Sequence, residues 1–143
     1  MLVRSILQGK GSVVVTVGAS TTLGDAVAVL RDRGIGALVV VDADDRIDGI
    51  VSERDVVRAV ANHGIGALGR PVSAVMTRDV QVCALDQTAD DLMRTMTERR
   101  IRHLPVLDGG RLAGIVSIGD VVKARLGQLE EENRTLVGYL HGS

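Results

Sequence analysis

This 143-residue chain is written twice, and a duplicated sequence leaves few architectures open. The segment Gly-Ile-Val-Ser-Glu-Arg-Asp-Val-Val at 49–57 returns as Gly-Ile-Val-Ser-Ile-Gly-Asp-Val-Val at 114–122, identical at seven of nine positions with an offset of 65. Upstream, Arg-Gly-Ile-Gly-Ala-Leu-Val-Val-Val-Asp at 33–42 aligns with Arg-Arg-Ile-Arg-His-Leu-Pro-Val-Leu-Asp at 99–108 with an offset of 66. One residue has therefore been lost from the turn after the aspartate. A unit of ~60 residues buries only about 60% of its unfolded surface and is marginal alone. The two copies are expected to pack face to face with pseudo-twofold symmetry.

Each copy reads as β-α-β-β-α. In the first, a β-rich run at 13–17 precedes a helix whose Leu23, Ala26, Val27 and Leu30 fall at helical spacing, capped within 20–22 and ended by Gly34. Strands at 37–41 and 46–51 follow around an Asp-Ala-Asp-Asp turn, and a second helix opens at Ser52. In the second copy the run is 80–83, and Asp86 and Thr88 lead a helix carrying Leu92, Met93 and Met96 that stops near Arg100. Strands at 103–107 and 111–116 flank Asp-Gly-Gly, and the next helix opens at Ser117. The expected class is α/β (α+β), with repeats at 5–63 and 72–126, a breaker-rich linker at 64–71, and a C-terminal helix and tail at 127–143. Pro71 suits the first turn of a short helix ending near Met76.

Composition removes several functions. With 17 basic against 18 acidic side chains, the net charge of -1 gives no field to attract nucleic acid or an anionic membrane. No Trp, no Phe and one Tyr leave no aromatic platform for stacking bases, so a nucleobase must be gripped by aliphatic side chains and backbone. The longest uncharged stretch, 11–24, is shorter than the ~18 residues of a membrane span, and the start does not read as a signal peptide. The lone Cys83 cannot form an internal disulfide, and the expected location is cytoplasmic. His63, His103 and His141 lack metal-site spacing, Cys83 reads as a small core residue, and Gly-Lys-Gly-Ser at 9–12 lacks the upstream glycine of a phosphate loop. No catalysis is expected.

The repeated Ser-x-x-Asp, Ser52/Asp55 and Ser117/Asp120, supports two readings. Ser at the N-cap with an acid three residues on is a capping box, stabilising a helix start by about 1 kcal/mol with no ligand. The same atoms also suit a nucleotide: free N–H groups and the positive helix end attract phosphate, and the carboxylate accepts ribose hydroxyls.

Gly-Ile-Val-Ser-x-x-Asp, present twice and in the second copy following an Arg-His-Leu-Pro-Val strand, resembles the tandem cystathionine-β-synthase (CBS) domain pair, the Bateman module, over about 5–126. The resemblance implies a regulatory module binding adenosine-containing ligands such as AMP, ADP, ATP, S-adenosylmethionine or NAD(H) between the repeats, without a catalytic cofactor. By position, Asp55 and Asp120 would hold ribose, with Ser52 and Ser117 near phosphate or sugar. Ile35, Gly36 and Ala37, and Ile101, Arg102 and His103, would border base and phosphates. Val15 in the first copy, and Thr77 and Gln81 in the second, would complete adenine pockets.

Phosphate recognition is expected to lean on the second copy, helped by Arg54, because Arg99, Arg100, Arg102 and His103 cluster there. For Arg99 and Arg100 a solvated helix end is an equal reading. The first copy departs from the pattern, with Val39 in place of Pro105 and Lys10-Gly-Ser in place of Met76-Thr.

Beyond the second repeat, Val122, Leu126, Leu129, Asn133, Leu136 and Leu140 follow at steps of 4, 3, 4, 3, 4, a short heptad seam. It reads as an added contact in a homodimer built mainly on module surfaces, or as a helix folded back on its own domain. The whole chain is thus expected to sense an adenosyl ligand and signal to a separate target protein. The competing expectation is a ligand-free dimerisation module.

Overall fold

The computed structural model describes residues 1–141, so Gly142 and Ser143 of the expected tail lie outside the described residues. The described residues form five α-helices and six strands: α1 (Val3–Lys10), β1 (Thr16–Gly18), α2 (Leu23–Arg33), β2 (Ala37–Val41), β3 (Ile47–Ser52) and α3 (Glu53–His63), then β4 (Cys83–Ala84), α4 (Ala89–Arg99), β5 (His103–Asp108), β6 (Arg111–Ser117) and α5 (Ile118–Leu140). The chain divides into two compact units. One is Val13–Gln81 with Gly109–Leu112; the other is Met1–Ser12, Val82–Asp108 and the described residues from Ala113 on. No helix among the described residues is long and apolar enough to cross a membrane.

In the unit built on Val13–Gln81, β1 runs parallel to β2, from Thr16 opposite Val39 to Gly18 opposite Val41, and β2 pairs antiparallel with β3. The central strand is apolar without alternation because Ala37, Leu38, Val39 and Val40 are all buried. Helix α2 starts where the Thr22 hydroxyl accepts the Asp25 N–H and stops at Gly34, whose left-handed φ of 61° closes the last turn. Residues 64–76 are not slack. They form two 3-10 turns, Gly64–Gly69 and Val72–Ala74, that bury Ala67, Val72 and Met76 against Leu23 and Leu38. Pro71 caps the second turn instead of sitting inside it. The Leu23 N–H donates to the Arg70 carbonyl, and the Val72 N–H to that of Thr21.

The other unit repeats this plan, with β4 parallel to β5 and β6 beside β5. Thr88 caps α4 reciprocally with Asp91, and Arg100 takes the left-handed conformation, φ 55°, that Gly34 takes in the first repeat. Here the place of 70–72 is filled by residues 1–3. The Val3 N–H donates to the Gln87 carbonyl and the Ala89 N–H to that of Met1, while Val3, Ile6 and Leu7 join Leu92, Met96, Leu104 and Val116 in one core. Helix α1 was not anticipated from sequence.

The two leading strands are shorter than their β-rich runs. The ladder with β2 begins only at Thr16, leaving Val13 88% exposed, and that with β5 covers only Cys83 and Ala84. Propensity without a neighbouring strand does not make a strand.

Candidate functional site

In both units a strand passes directly into a helix, and the serine at the junction organises the helix's first turn. At the end of β3, the Ser52 hydroxyl accepts the Asp55 N–H at 3.4 Å, and one Asp55 oxygen, Oδ2, accepts the Ser52 N–H at 2.8 Å and its hydroxyl at 3.0 Å. At the end of β6, the Ser117 hydroxyl accepts the Asp120 N–H at 3.2 Å, and Asp120 Oδ2 accepts the Ser117 N–H at 2.9 Å and hydroxyl at 3.0 Å. Both corners are complete capping boxes at the positive ends of α3 and α5. The duplication was legible because this hydrogen-bond circuit needs Ser and Asp at that spacing.

A further stretch of chain completes each corner, and it comes from the segment leading into the other repeat. In the first unit the Thr77 hydroxyl donates to Asp55 Oδ1 at 3.0 Å, while Thr77 N and O pair with Ile50 O and N at 2.9 Å. Asp55 is 6% exposed, with both oxygens engaged. Thr77, grouped by sequence with the second repeat, belongs to the first corner.

In the second unit Lys10, the last residue of α1, donates from Nζ to Asp120 Oδ2 at 2.6 Å and to the Ile115 carbonyl at 2.9 Å. Burial pulls the Asp120 carboxyl upward, but Lys10 together with the Ser117 N–H and hydroxyl outweighs it and holds the group below the usual carboxylate range. The Asp120 side chain keeps 22% exposure and that of Lys10 34%. Lys10 is the corner partner the sequence reading missed. Its signal was the alignment of Lys10-Gly with Met76-Thr, which becomes informative only across the repeats.

Glycine permits both approaches. A Cβ on Gly49 would lie 2.6 Å from Met76 Sδ and 2.9 Å from the Thr77 carbonyl, and one on Gly114 would lie 2.7 Å from Leu7 Cδ2. The Gly-Ile-Val before each serine is therefore accounted for: glycine admits the crossing segment, and Val51 and Val116 fill the cores.

The remaining predicted residues fall in two groups. Gly36 and Arg102 reach the corners through their backbones, the Gly36 carbonyl accepting the Glu53 N–H at 3.0 Å and that of Arg102 the Ile118 N–H at 2.8 Å. The Arg102 and Arg54 side chains are exposed, Arg54 in the first turn of α3, and His103 is half-buried at the start of β5. Val15 and Ile35 pack against the core of the first unit and Ile101 against that of the second, while Ala37 is buried in β2. Gln81 is half-buried at the end of its segment.

Comparison with known proteins agrees with this pattern. The CBS domain model matches residues 11–62 and again 72–127. A CBS-domain containing protein of Agrobacterium tumefaciens, ATU1752, has a crystal structure that superposes with a TM-score of 0.86 at 50% identity, covering 87% of this chain and 99% of that one. The CBS domain pair of protein MJ0100, crystallised in complex with 5'-methylthioadenosine and S-adenosyl-L-methionine, gives a TM-score of 0.80 at 26% identity, over 90% and 98% of the two chains. Among curated sequences, the mitochondrial CBS domain-containing protein CBSX3 of Arabidopsis thaliana is 35% identical over 85% of this chain, which spans 61% of that relative's length. With two matched copies, two capped strand-to-helix corners and the same three-stranded units, this chain belongs to the CBS domain family.

Proposed function

We propose that the chain is a regulatory module that binds an adenosyl ligand at its capped corners and passes the binding event to a separate target protein without catalysing a reaction. The observation that carries this reading is the Ser117/Asp120 corner, where a partly exposed carboxylate at a helix N-terminus stands beside a cation. The other Asp120 oxygen, Oδ1, is open to ribose hydroxyls, and the positive end of α5, Lys10 and Arg102 suit a 5'-phosphate. The likeness to a CBS pair crystallised with 5'-methylthioadenosine and S-adenosyl-L-methionine supports the adenosyl class. The phosphate-favouring charge points to AMP, ADP, ATP or NAD(H) at this corner. A ligand shifts the module's conformations only by its differential affinity for them, so the target must read a surface that changes on binding.

A second reading has its own support at the first corner. Asp55 is buried with its carboxylate shared between Ser52 and Thr77, which is what a purely structural cap requires. Under the proposal, occupancy therefore rests on the second corner, and a ligand at the first must displace Thr77 from Asp55.

Thermal shift and titration calorimetry with AMP, ATP, NADH, S-adenosylmethionine and 5'-methylthioadenosine test the proposal. At about 100 times Kd a ligand adds ~2.7 kcal/mol, several degrees in a chain of this size. Asp120→Ala is expected to abolish that shift while costing about 2 kcal/mol in stability, from the lost capping-box bonds and the lost Lys10 contact together. No response to any of the five compounds leaves the ligand-free dimerisation module standing.

A further inference from the structure

Helix α5 runs unbroken through 23 residues, and its inner face is already used: Val121 and Ala124 are buried in the core that includes Leu7 and Leu92. Among the described residues a second apolar stripe stays largely uncovered. Val122, Leu126, Leu129, Leu136 and Leu140 are 42, 54, 45, 56 and 73% exposed, and Asn133 stands exposed among them. Beyond Gln128 almost every residue of the helix is exposed. About three turns of bare helix are marginal in water unless an apolar face is covered.

We propose that this stripe forms a parallel, in-register two-stranded coiled coil with a second copy of the chain. The steps of 4, 3, 4, 3, 4 place Leu126, Asn133 and Leu140 at one seam position and Val122, Leu129 and Leu136 at the other. Asn133 then meets Asn133 of the partner subunit, the pairing that satisfies a seam amide in a parallel dimer. Gly127 and Gly138 fall off the seam, so neither opens a hole in it.

Charge selects the direction. Arg125 flanks one edge of the seam and Glu130, five residues on, flanks the other, the spacing at which opposite charges meet across a parallel pair, and the twofold axis makes the contact twice. Arg125 lies 3.7 Å from Asp90 but keeps 38% exposure, so it is accessible to a second carboxylate. An antiparallel pairing centred on the same seam sets Glu130 against Glu130 of the partner subunit, and Glu132 against Glu132 of the partner subunit, like charges face to face. The pattern is self-complementary, which singles out a second copy over an unrelated helix. Ligand binding has no part in this inference.

The test uses the full chain with Leu126→Cys, which leaves the buried core untouched; the native Cys83 is buried and serves as a silent thiol. Under mild oxidation Leu126→Cys is expected to yield a covalent dimer at least tenfold faster than Thr135→Cys on an outer helix face. Sedimentation velocity is expected to show at least tenfold weaker self-association for Leu129→Glu, and for Glu130→Arg a loss restored by adding Arg125→Glu. A monomer at ~100 μM, or a dimer that survives Leu129→Glu and does not cross-link at 126, overturns the proposal. Far-UV circular dichroism on each variant confirms that the fold is retained.

Discussion

Replacing Lys10 with Met removes one charge and keeps an unbranched apolar stem of similar length at the end of α1. The Nζ group makes two contacts, 2.6 Å to Asp120 and 2.9 Å to the Ile115 carbonyl. Fully exposed ion pairs contribute ~0.2–1 kcal/mol, and hydrogen bonds to charged groups ~1.5–3 kcal/mol. With side-chain exposures of 34% and 22%, solvent screens much of the larger figure. We therefore expect Lys10→Met to cost about 1 kcal/mol at pH 7 and low salt, or about 3 °C in Tm.

The pH dependence separates this from a packing effect. Asp120 is held below the carboxylate range, so its contribution is complete above the unfolded value of ~3.9 and drains away as pH falls through the lower folded value. Urea unfolding of parent and variant should thus differ at pH 7 and converge at acid pH, as the carboxyl titrates through its lowered folded value. The difference should also shrink in ~1 M salt, where the screening length is about 3 Å. An equal difference at both pH values, or none at pH 7, refutes the assignment of Lys10 as an electrostatic partner of Asp120.

Two other outcomes concern the same corners and cores. Gly49→Ala should cost about 2–3 kcal/mol in urea unfolding and Gly114→Ala about 1 kcal/mol, because the first Cβ meets a backbone carbonyl as well as Met76, whereas the second meets only the end of the Leu7 side chain. Equal costs would show that the crossing segments yield alike. Burial pushes the Cys83 thiol up to about 12, so at pH 8 a disulfide reagent should label it only at the rate of unfolding, and rapid labelling of the native chain would contradict its place in the core.

The elements with strong local signals were legible in the sequence. Thr22, Ser52, Thr88 and Ser117 announce their helices because a cap needs a side-chain oxygen at one defined position, and Gly34 ends α2 because its φ is left-handed. What escaped was long-range. Helix α1 is short, and its buried Val3, Ile6 and Leu7 acquire their meaning only from Leu92 and Met96. The same gap hid the partners of both corner carboxylates. Asp55 and Thr77 are 22 residues apart and Lys10 and Asp120 are 110 apart, distances over which no periodicity carries information. Arg100 was seen as a helix end, but its left-handed backbone, where Gly34 stands in the first repeat, has no signal in an arginine.

The docking of α1 has a consequence for how the protein comes into being. A ribosome delivers Val3, Ile6 and Leu7 long before their neighbours Leu104, Val116 and Val121, so three apolar side chains wait through much of translation without a home. Val13–Gln81, by contrast, carries nearly all of its own packing partners and is free to mature while the rest is still being made. Closing the loop between these early and late segments requires nearly the whole chain, and a chain cut short of it would leave the three side chains exposed to chaperones and proteases.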